Sequence, residues 1–198
     1  MKKTVSVLFI FIISFNHAFC QDGFFSRLFF PVTFGIGFPP ANPDQKMIFV
    51  TSEGAEYRFN SKLPLFTRIS YDNFSFHYSV NPNEVTNAVK SKFDASIISL
   101  GGGLRAGTGK LRLSGLIQAG MMNYRFPDVR IIPQGYEVDY HHNKKLSFGT
   151  VASAEYYFAK DFGAILEANF MYAPYSDILW GKSFRFAGFR IGITTVLF

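Results

Sequence analysis

Hydrophobic and polar residues alternate along this chain with a period of two rather than 3.6. Between Phe30 and Phe38, large apolar side chains occupy the even positions from 32 onward, and Thr33 and two glycines occupy the odd ones. Such alternation places successive side chains on opposite faces of a sheet, which predicts β-strands. The pattern recurs eight times, so we predict an all-β chain. The predicted strands are 30–38, 52–60, 63–78, 93–106, 110–124, 146–158, 162–172 and 182–198.

The connections between these strands alternate between short and long. The turns near 60–62, 107–109 and 159–161 are short, whereas the connections near 39–51, 73–92, 125–145 and 173–181 are long. Outer-membrane barrels have tight periplasmic turns and longer external loops, and a soluble sandwich has no reason to alternate in this way. We therefore predict an eight-stranded antiparallel up-and-down transmembrane β-barrel with both termini in the periplasm.

Residues 1–20 have the three parts of an export signal. Lys2 and Lys3 precede an apolar stretch over 5–15, and Ala18 and Cys20 place small residues before a cleavage site ahead of Gln21. The apolar stretch is too short for a spanning helix. We predict a cleaved signal peptide over 1–20 and one outer-membrane β-barrel domain over 21–198.

Cys20 is the only cysteine of the chain, which excludes an intrachain disulfide. It is either removed with the signal or kept as a lipidated first residue. The bulky Phe19 before it disfavours lipidation.

Composition and charge fit a membrane barrel. Aromatic residues make up 18% and charged residues 17% of the chain, against roughly 25% charged residues in soluble domains. Lipid-facing surfaces and interfacial girdles accommodate such an aromatic excess. The net charge of +6 is spread over scattered positions, so we expect no nucleic acid as a partner.

Three segments and the last residue carry a resemblance to a known family. They are A-E-Y-R-F-N at 55–60, A-E-Y-Y-F-A-K-D-F-G at 154–163, R-I-G-I-T at 190–194, and the terminal Phe198. Over nearly all of residues 28–198 the chain resembles the small outer-membrane barrels typified by the OmpA and OmpX transmembrane domains, and in particular the PorT-like proteins of Bacteroidota-type bacteria. The resemblance implies a location in the bacterial outer membrane, outer-membrane lipids as surroundings, and insertion by the barrel-assembly machinery.

In that family the terminal aromatic residue is the assembly signal, which here is Phe198. Ile191 and Ile193 place odd positions toward lipid, so Phe198 has the opposite parity. Either a β-bulge near residues 194–195 restores the parity, or Leu197 serves as the membrane-facing terminal residue.

Charged residues occur repeatedly on the polar parity of the predicted strands. An eight-stranded barrel has an interior just wide enough for side chains, and breaking a buried ion pair costs roughly 3–5 kcal/mol. We therefore predict an ion-pair network that plugs the lumen; the alternative is a gated ion path. The predicted network residues are Glu56, Arg58, Arg68, Arg105, Arg112, Glu155, Glu167 and Arg190.

No catalytic, cofactor or metal site is predicted. His77 and Ser79 share a strand face near Glu84, which suggests lipid A deacylase chemistry, but the rest of that pattern is missing. His141 and His142 are adjacent and point oppositely on extended backbone, so a solvated loop is favoured over a metal site. Residues 101–103 are three glycines within a strand, which favours a barrel bend over a phosphate-binding loop.

These observations predict a barrel without catalytic activity, and hence not an enzyme, that serves envelope structure, adhesion, or as an accessory in a secretion or uptake complex. An envelope protein is the expected partner, through the external loops. The alternatives are a small porin-like channel for small or hydrophobic molecules, and an outer-membrane lipid enzyme.

Overall fold

The computed structural model describes residues 25–38, 47–59, 64–80, 89–132, 135–176 and 182–196. The predicted signal peptide, Cys20 and Phe198 lie outside these ranges. Eight antiparallel strands pair in chain order, and β1 also pairs with β8, so the sheet closes on itself. The predicted barrel is confirmed. After a short 3₁₀ turn at Phe25–Arg27, the strands are β1 Leu28–Phe38, β2 Ile48–Arg58, β3 Leu65–Val80, β4 Val89–Ala106, β5 Leu111–Ile132, β6 Gly135–Ala159, β7 Phe162–Ser176 and β8 Lys182–Val196.

The two ends of the barrel differ. At one end, here called the turn end, lie the start of β1, the end of β8 and the short β4–β5 and β6–β7 turns; the opposite end is called the hairpin end. Following directly opposed residues from Leu28 through the other seven strands returns to β1 at Phe38, ten residues further along. This stagger tilts the strands against the barrel axis.

The period-two alternation sorts side chains between the outer surface and the lumen as predicted. Val32 and Ile98 are exposed on the outside, whereas their chain neighbours Thr33 and Ser99 are buried in the lumen. A closed barrel with a broad apolar outer surface is typical of lipid-facing proteins. The large apolar side chains exposed on this surface include Val32, Phe34, Phe38, Ile69, Ile98, Leu100, Leu104, Leu113, Ile117, Leu166, Phe189 and Ile191.

The six strands β2 to β7 all extend further at the hairpin end than the sequence pattern predicts, and β5 and β6 do so the most. β4 starts at Val89, β5 runs to Ile132 and β6 starts at Gly135. The prediction of a long loop over 125–145 is therefore wrong, and the strict alternation of short and long connections fails there. Pro127 and several charges suggest a loop, but the two strands satisfy each other's backbone, with Pro127 opposite Tyr140.

The β5–β6 ribbon, defined as residues 126–132 paired with 135–141, projects beyond the barrel wall. The last rung that joins β5 to β4 is Arg125 with Asp94, and β6 joins β7 only from Phe148 onward. Seven residues of strand correspond to roughly 23 Å. Neither edge of the ribbon pairs with another described strand.

Two further sequence predictions concern local backbone geometry. The ladders of β8 run in register through Thr194 and Thr195 on both sides, so the β-bulge considered there is absent. The three glycines at 101–103 lie inside β4, as predicted. No helix in the described ranges is long and apolar enough to cross a membrane.

Candidate functional site: the barrel lumen

Charged side chains in the turn half of the lumen form one continuous ion-pair network. Four arginines alternate with four carboxylates, so the formal charges of the network cancel. The members come from six strands, β2, β3, β4, β6, β7 and β8. In order of contact they are Arg105, Glu155, Arg58, Glu56, Arg68, Glu167, Arg190 and Asp72.

The network begins at the turn end around the carboxylate of Glu155. Its Oε2 lies 2.6 Å from Arg105 Nη2 and 3.1 Å from Arg58 Nη2. The Tyr157 hydroxyl accepts hydrogen bonds from Arg58 Nη1 at 2.8 Å and from Arg105 Nη2 at 3.0 Å, and donates to Glu155. Arg58 Nε then reaches Glu56 Oε1 at 2.6 Å. Charge-assisted hydrogen bonds of this kind are short and strong.

Deeper in the lumen the network passes through two buried arginines. Arg68 donates to Glu56 Oε2 from Nε at 3.1 Å and from Nη2 at 2.9 Å, and its Nη1 lies 2.6 Å from Glu167 Oε1. Arg190 Nη2 lies 2.9 Å from the other oxygen of Glu167, and its Nη1 lies 2.7 Å from Asp72 Oδ1. Glu167 therefore bridges two arginines that are at most 4% exposed.

The strand register positions these charges. Glu56 lies directly opposite Arg68 across the β2–β3 ladder, and Glu167 lies directly opposite Arg190 across the β7–β8 ladder. Opposed residues on one sheet face lie close enough to interact. The local pairing of strands therefore creates two ion pairs, and their lateral contacts join them into one network.

Seven of the eight predicted network residues lie in this network, and Arg112 does not. Arg112 faces Glu155 across the β5–β6 ladder, but its guanidinium donates to the Gly107 carbonyl oxygen at 3.0 Å. It stands beside the β4–β5 turn, while the Glu155 carboxylate is engaged in the lumen by Arg58 and Arg105. The prediction for Arg112 is wrong because strand parity does not specify how far a side chain lies from the barrel mouth.

Asp72 and Tyr157 are network residues that the sequence interpretation missed. Asp72 has the parity of Arg68 on β3, and Tyr157 has the parity of Glu155 on β6. Both signals are present in the sequence. Asp72 borders the connection predicted near residues 73–92, and the phenol of Tyr157 carries no formal charge.

The hairpin half of the lumen is filled by apolar side chains instead. Phe74 and Phe186 pack with ring centroids 4.8 Å apart, and the Phe93 ring stacks against Tyr124 at 5.9 Å and Phe184 at 6.1 Å. The ion-pair network that the sequence predicts as the plug of the lumen therefore does not extend into this half. The buried apolar cluster comprises Ile48, Val50, Phe74, Phe93, Ala95, Ile97, Met122, Tyr124, Met171, Ala173, Phe184 and Phe186.

Hydroxyl and amide groups contact one another elsewhere in the lumen. The Ser70 and Ser99 hydroxyls lie 2.7 Å apart, and Ser70 also lies 3.4 Å from the Gln118 side-chain oxygen. A cavity of about 710 Å³ opens at the turn end, lined by Phe29, Arg58 and Arg105 among others. The Arg58 guanidinium carbon lies 3.1 Å from the centre of the Phe29 ring, so charged and aromatic groups form the inner wall of this mouth.

The other candidate residues lie elsewhere. His77 and Ser79 belong to β3, but the structure does not describe their side chains, and Glu84 lies outside the described residues. His141 and His142 are exposed on β6 rather than in a loop. Within the described ranges, no group of three or more His, Cys, Asp or Glu residues could hold a metal ion.

No protein-family model and no curated protein matches this sequence. Among solved structures, the chain is similar to Neisserial surface protein A, with a TM-score of 0.55 and 10% identity over 86% of this chain and 96% of that one. It is also similar to Ail, the attachment invasion locus protein of Yersinia pestis, crystallised with the heparin analogue sucrose octasulfate; the TM-score is 0.50 and the identity 14%, over 85% of this chain and 95% of that one.

A third similar structure is the outer membrane protease OmpT of Escherichia coli. Its TM-score is 0.47 and its identity 12%, over 77% of this chain and 65% of that one. Identities this low speak for the fold and do not transfer an activity. The chain thus has the fold of small bacterial outer-membrane β-barrels.

Proposed function

We propose that this chain is a non-catalytic outer-membrane β-barrel whose own side chains close its lumen. In this proposal it acts through its exposed surface, in envelope structure, adhesion, or as an accessory in a secretion or uptake complex. The observation that carries the proposal is the double filling of the lumen, by the neutral ion-pair network in the turn half and by the apolar cluster in the hairpin half. The apolar outer surface supports placement in a lipid bilayer.

The porin-like alternative requires a continuous path along the barrel axis. Such a path would cross the Glu56–Arg68–Glu167 contacts and then the stacked rings around Phe93. Opening it would break buried ion pairs, at roughly 3–5 kcal/mol for each broken pair. The finer PorT-like assignment stays a prediction from the sequence resemblance.

Conductance in planar lipid bilayers tests the closed lumen. We expect no steady conductance from the purified barrel, with a general porin as the positive control for insertion and recording. A variant in which Phe74, Phe93, Phe184 and Phe186 are all changed to Ala keeps the ion-pair network and should also stay closed. Steady open channels in the unmodified protein would contradict the proposal and support the channel.

The β5–β6 ribbon supports a role in contacting a partner. It carries the exposed side chains of Glu137, Asp139 and Tyr140, and the Arg125 guanidinium carbon lies 4.0 Å from the centre of the Tyr140 ring. Unpaired strand edges can pair with a strand of another chain. The expected partner is an envelope protein that recognises this ribbon.

Replacing residues 126–141 by a two-residue turn tests the role of the ribbon. We expect the shortened barrel to insert normally, because the wall does not depend on these residues. Proteins co-purified from the outer membranes of producing cells would be identified for both forms. If the same proteins accompany the shortened barrel, the ribbon is not the contact site.

A further inference from the structure

Glu53 is a carboxylate in the middle of the apolar outer surface. It is the central residue of β2 (Ile48–Arg58) and is exposed on the outside of the barrel. On the same strand face, Phe49 lies toward the hairpin end, and Tyr57 and Phe59 lie toward the turn end. Because aromatic residues border the lipid-facing band of such barrels on both sides, Glu53 belongs to the band itself rather than to its rim.

The neighbours of Glu53 on the adjacent strands are large and exposed. Its direct partners are Val32 on β1 and Tyr71 on β3, which are 47% and 42% exposed. Ile98 on β4 continues the same row. The other charged residues that face outward on the described barrel wall lie nearer its hairpin-end rim, which makes Glu53 an exception. They are Asp94, Arg125, Lys144 and Arg185.

No residue in the described part of the chain forms a hydrogen bond or an ion pair with this carboxylate. Neither Glu53 nor the Tyr71 hydroxyl makes a hydrogen bond or ion pair with another described residue. A shallow hollow of about 500 Å³ lies beside Glu53 on this face, and Ala55, Ile69 and Tyr71 are among the residues that line it. An ionisable group facing lipid is costly and marks a functional site that needs a partner.

We propose that the β2–β3 face around Glu53 is an interface, within the bilayer, with a second copy of this chain. Glu53 and Tyr71 lie side by side in one row. A two-fold axis along the membrane normal between them therefore places Glu53 of each copy opposite Tyr71 of the other. The two equivalent contacts then give the carboxylate of each copy a hydrogen bond from the Tyr71 hydroxyl of the other, as in a self-complementary dimer. This inference rests on the proposed placement of the barrel in the outer membrane.

Single-cysteine cross-linking tests the interface. Cys20, the only cysteine, lies in the predicted signal peptide, so Ala55→Cys gives the mature barrel one reporter thiol. The matched control is Ala152→Cys, an outward-facing alanine on β6, which is half-way round the barrel from β2. In lipid vesicles at a low protein-to-lipid ratio, a short bismaleimide should give at least about tenfold more dimer from Ala55→Cys, because an interface raises the effective concentration of the two thiols.

Variants of the hydrogen-bonding pair separate a specific interface from random collision. In the Ala55→Cys background, Glu53→Leu and Tyr71→Phe should each lower the cross-linked fraction severalfold. Glu53→Gln should retain most of it, because an amide oxygen still accepts the hydrogen bond. Equal cross-linking at both alanines, no dimer, an unchanged yield in Glu53→Leu, or capture of a different protein at Ala55→Cys in native outer membranes would each overturn the proposal.

The same preparation also tests the membrane placement independently. The folded, protease-resistant fraction of the barrel is measured before cross-linking. A barrel that does not insert into vesicles overturns both the placement and the interface, whereas an inserted barrel that stays monomeric overturns the interface alone.

Discussion

The turn half and the hairpin half of the lumen are lined by the same strands, yet their contents differ. The turn half holds eight charged groups linked through shared carboxylates, and the hairpin half holds twelve apolar residues in one cluster. On β8, Phe184 and Phe186 of the apolar half are followed at the same parity by Arg190 of the ionic half. One strand can therefore contribute to both halves without a change of face.

The two halves depend on their residues in different ways. In the ionic half each charge needs its partner, because a buried charge that loses its partner is left without compensation. In the apolar half each residue needs its volume, because a smaller side chain leaves a cavity. The comparison predicts that the ionic half is sensitive to charge at constant size and that the apolar half is sensitive to size alone.

The largest expected effect is at Glu167 in the ionic half. Glu167→Ala removes the shared acceptor of Arg68 and Arg190, both of which are buried. We expect a loss of about 3–5 kcal/mol in the free energy of unfolding, because two buried cations lose a partner. Reversible urea unfolding in lipid vesicles measures it.

A charge-matched control accompanies this substitution. Glu137→Ala removes an exposed carboxylate on the β5–β6 ribbon and should stay within about 0.5 kcal/mol of the parent. Glu167→Gln keeps the size of the side chain and removes its charge. Its loss in the free energy of unfolding should lie between those of Glu167→Ala and Glu137→Ala. If Glu167→Gln is as stable as the parent, the ionic half does not depend on charge and the comparison between the two halves fails.

The next effect is at Met122 in the apolar half. Met122 is fully buried, and its chain neighbour Met121 is exposed on the outer surface. Met122→Ala should cost about 2–5 kcal/mol in the free energy of unfolding, while Met122→Leu should cost less than about 1.5 kcal/mol. Met121→Ala is the adjacent control and should cost clearly less, since it opens no internal cavity. Equal losses at both methionines would show that the hairpin half is not tightly packed.

The sequence predicts the fold because barrel strands alternate with a period of two regardless of what they enclose. Val32 with Thr33 and Ile98 with Ser99 carry the same signal as the rest of the wall. The sequence also predicts most of the ionic half, because a charged side chain that points into so narrow a lumen must pair with an opposite charge. The prediction fails for Arg112 because its position along the barrel axis, beside Gly107, is set by the closed structure and not by strand parity.

The apolar half could not be predicted in the same way. Around Phe74, Phe93 and Phe184, the sequence pattern assigns apolar residues that face the lumen to loops or to the lipid-facing surface. Hydrophobicity alone does not distinguish the lumen face of a strand from its lipid face. The ribbon at 126–141 is missed for a different reason, because among the described strands its two segments pair only with each other.

A smaller effect is expected at the glycines of β4. A Cβ at Gly103 would lie 2.6 Å from the Phe66 ring and even closer to the Gly115 carbonyl oxygen, whereas one at Gly102 meets nothing closer than 3.9 Å. Gly103→Ala should therefore cost about 1–3 kcal/mol through overpacking, and Gly102→Ala should leave stability nearly unchanged. Urea unfolding of the two variants compares them directly. If Gly103→Ala leaves the free energy of unfolding unchanged, the Phe66 side chain and the surrounding wall can shift to make room for the added methyl group.

The smallest effect we predict is at the mouth of the ionic half, where Arg58 lies over the ring of Phe29. Phe29→Leu keeps an apolar side chain and removes the cation–π contact, which is worth about 0.5–1 kcal/mol at a partly exposed site. Phe30→Leu, the adjacent residue on the outer face, makes the same chemical change without an arginine neighbour. The difference between the two unfolding free energies isolates the contact. In an Arg58→Leu background most of that difference should vanish, because the other arginine near the ring, Arg105, lies 5.8 Å from its centre. If the difference persists in full, the Phe29 ring stabilises the mouth by packing, and the ionic half ends at Glu155 rather than at the barrel opening.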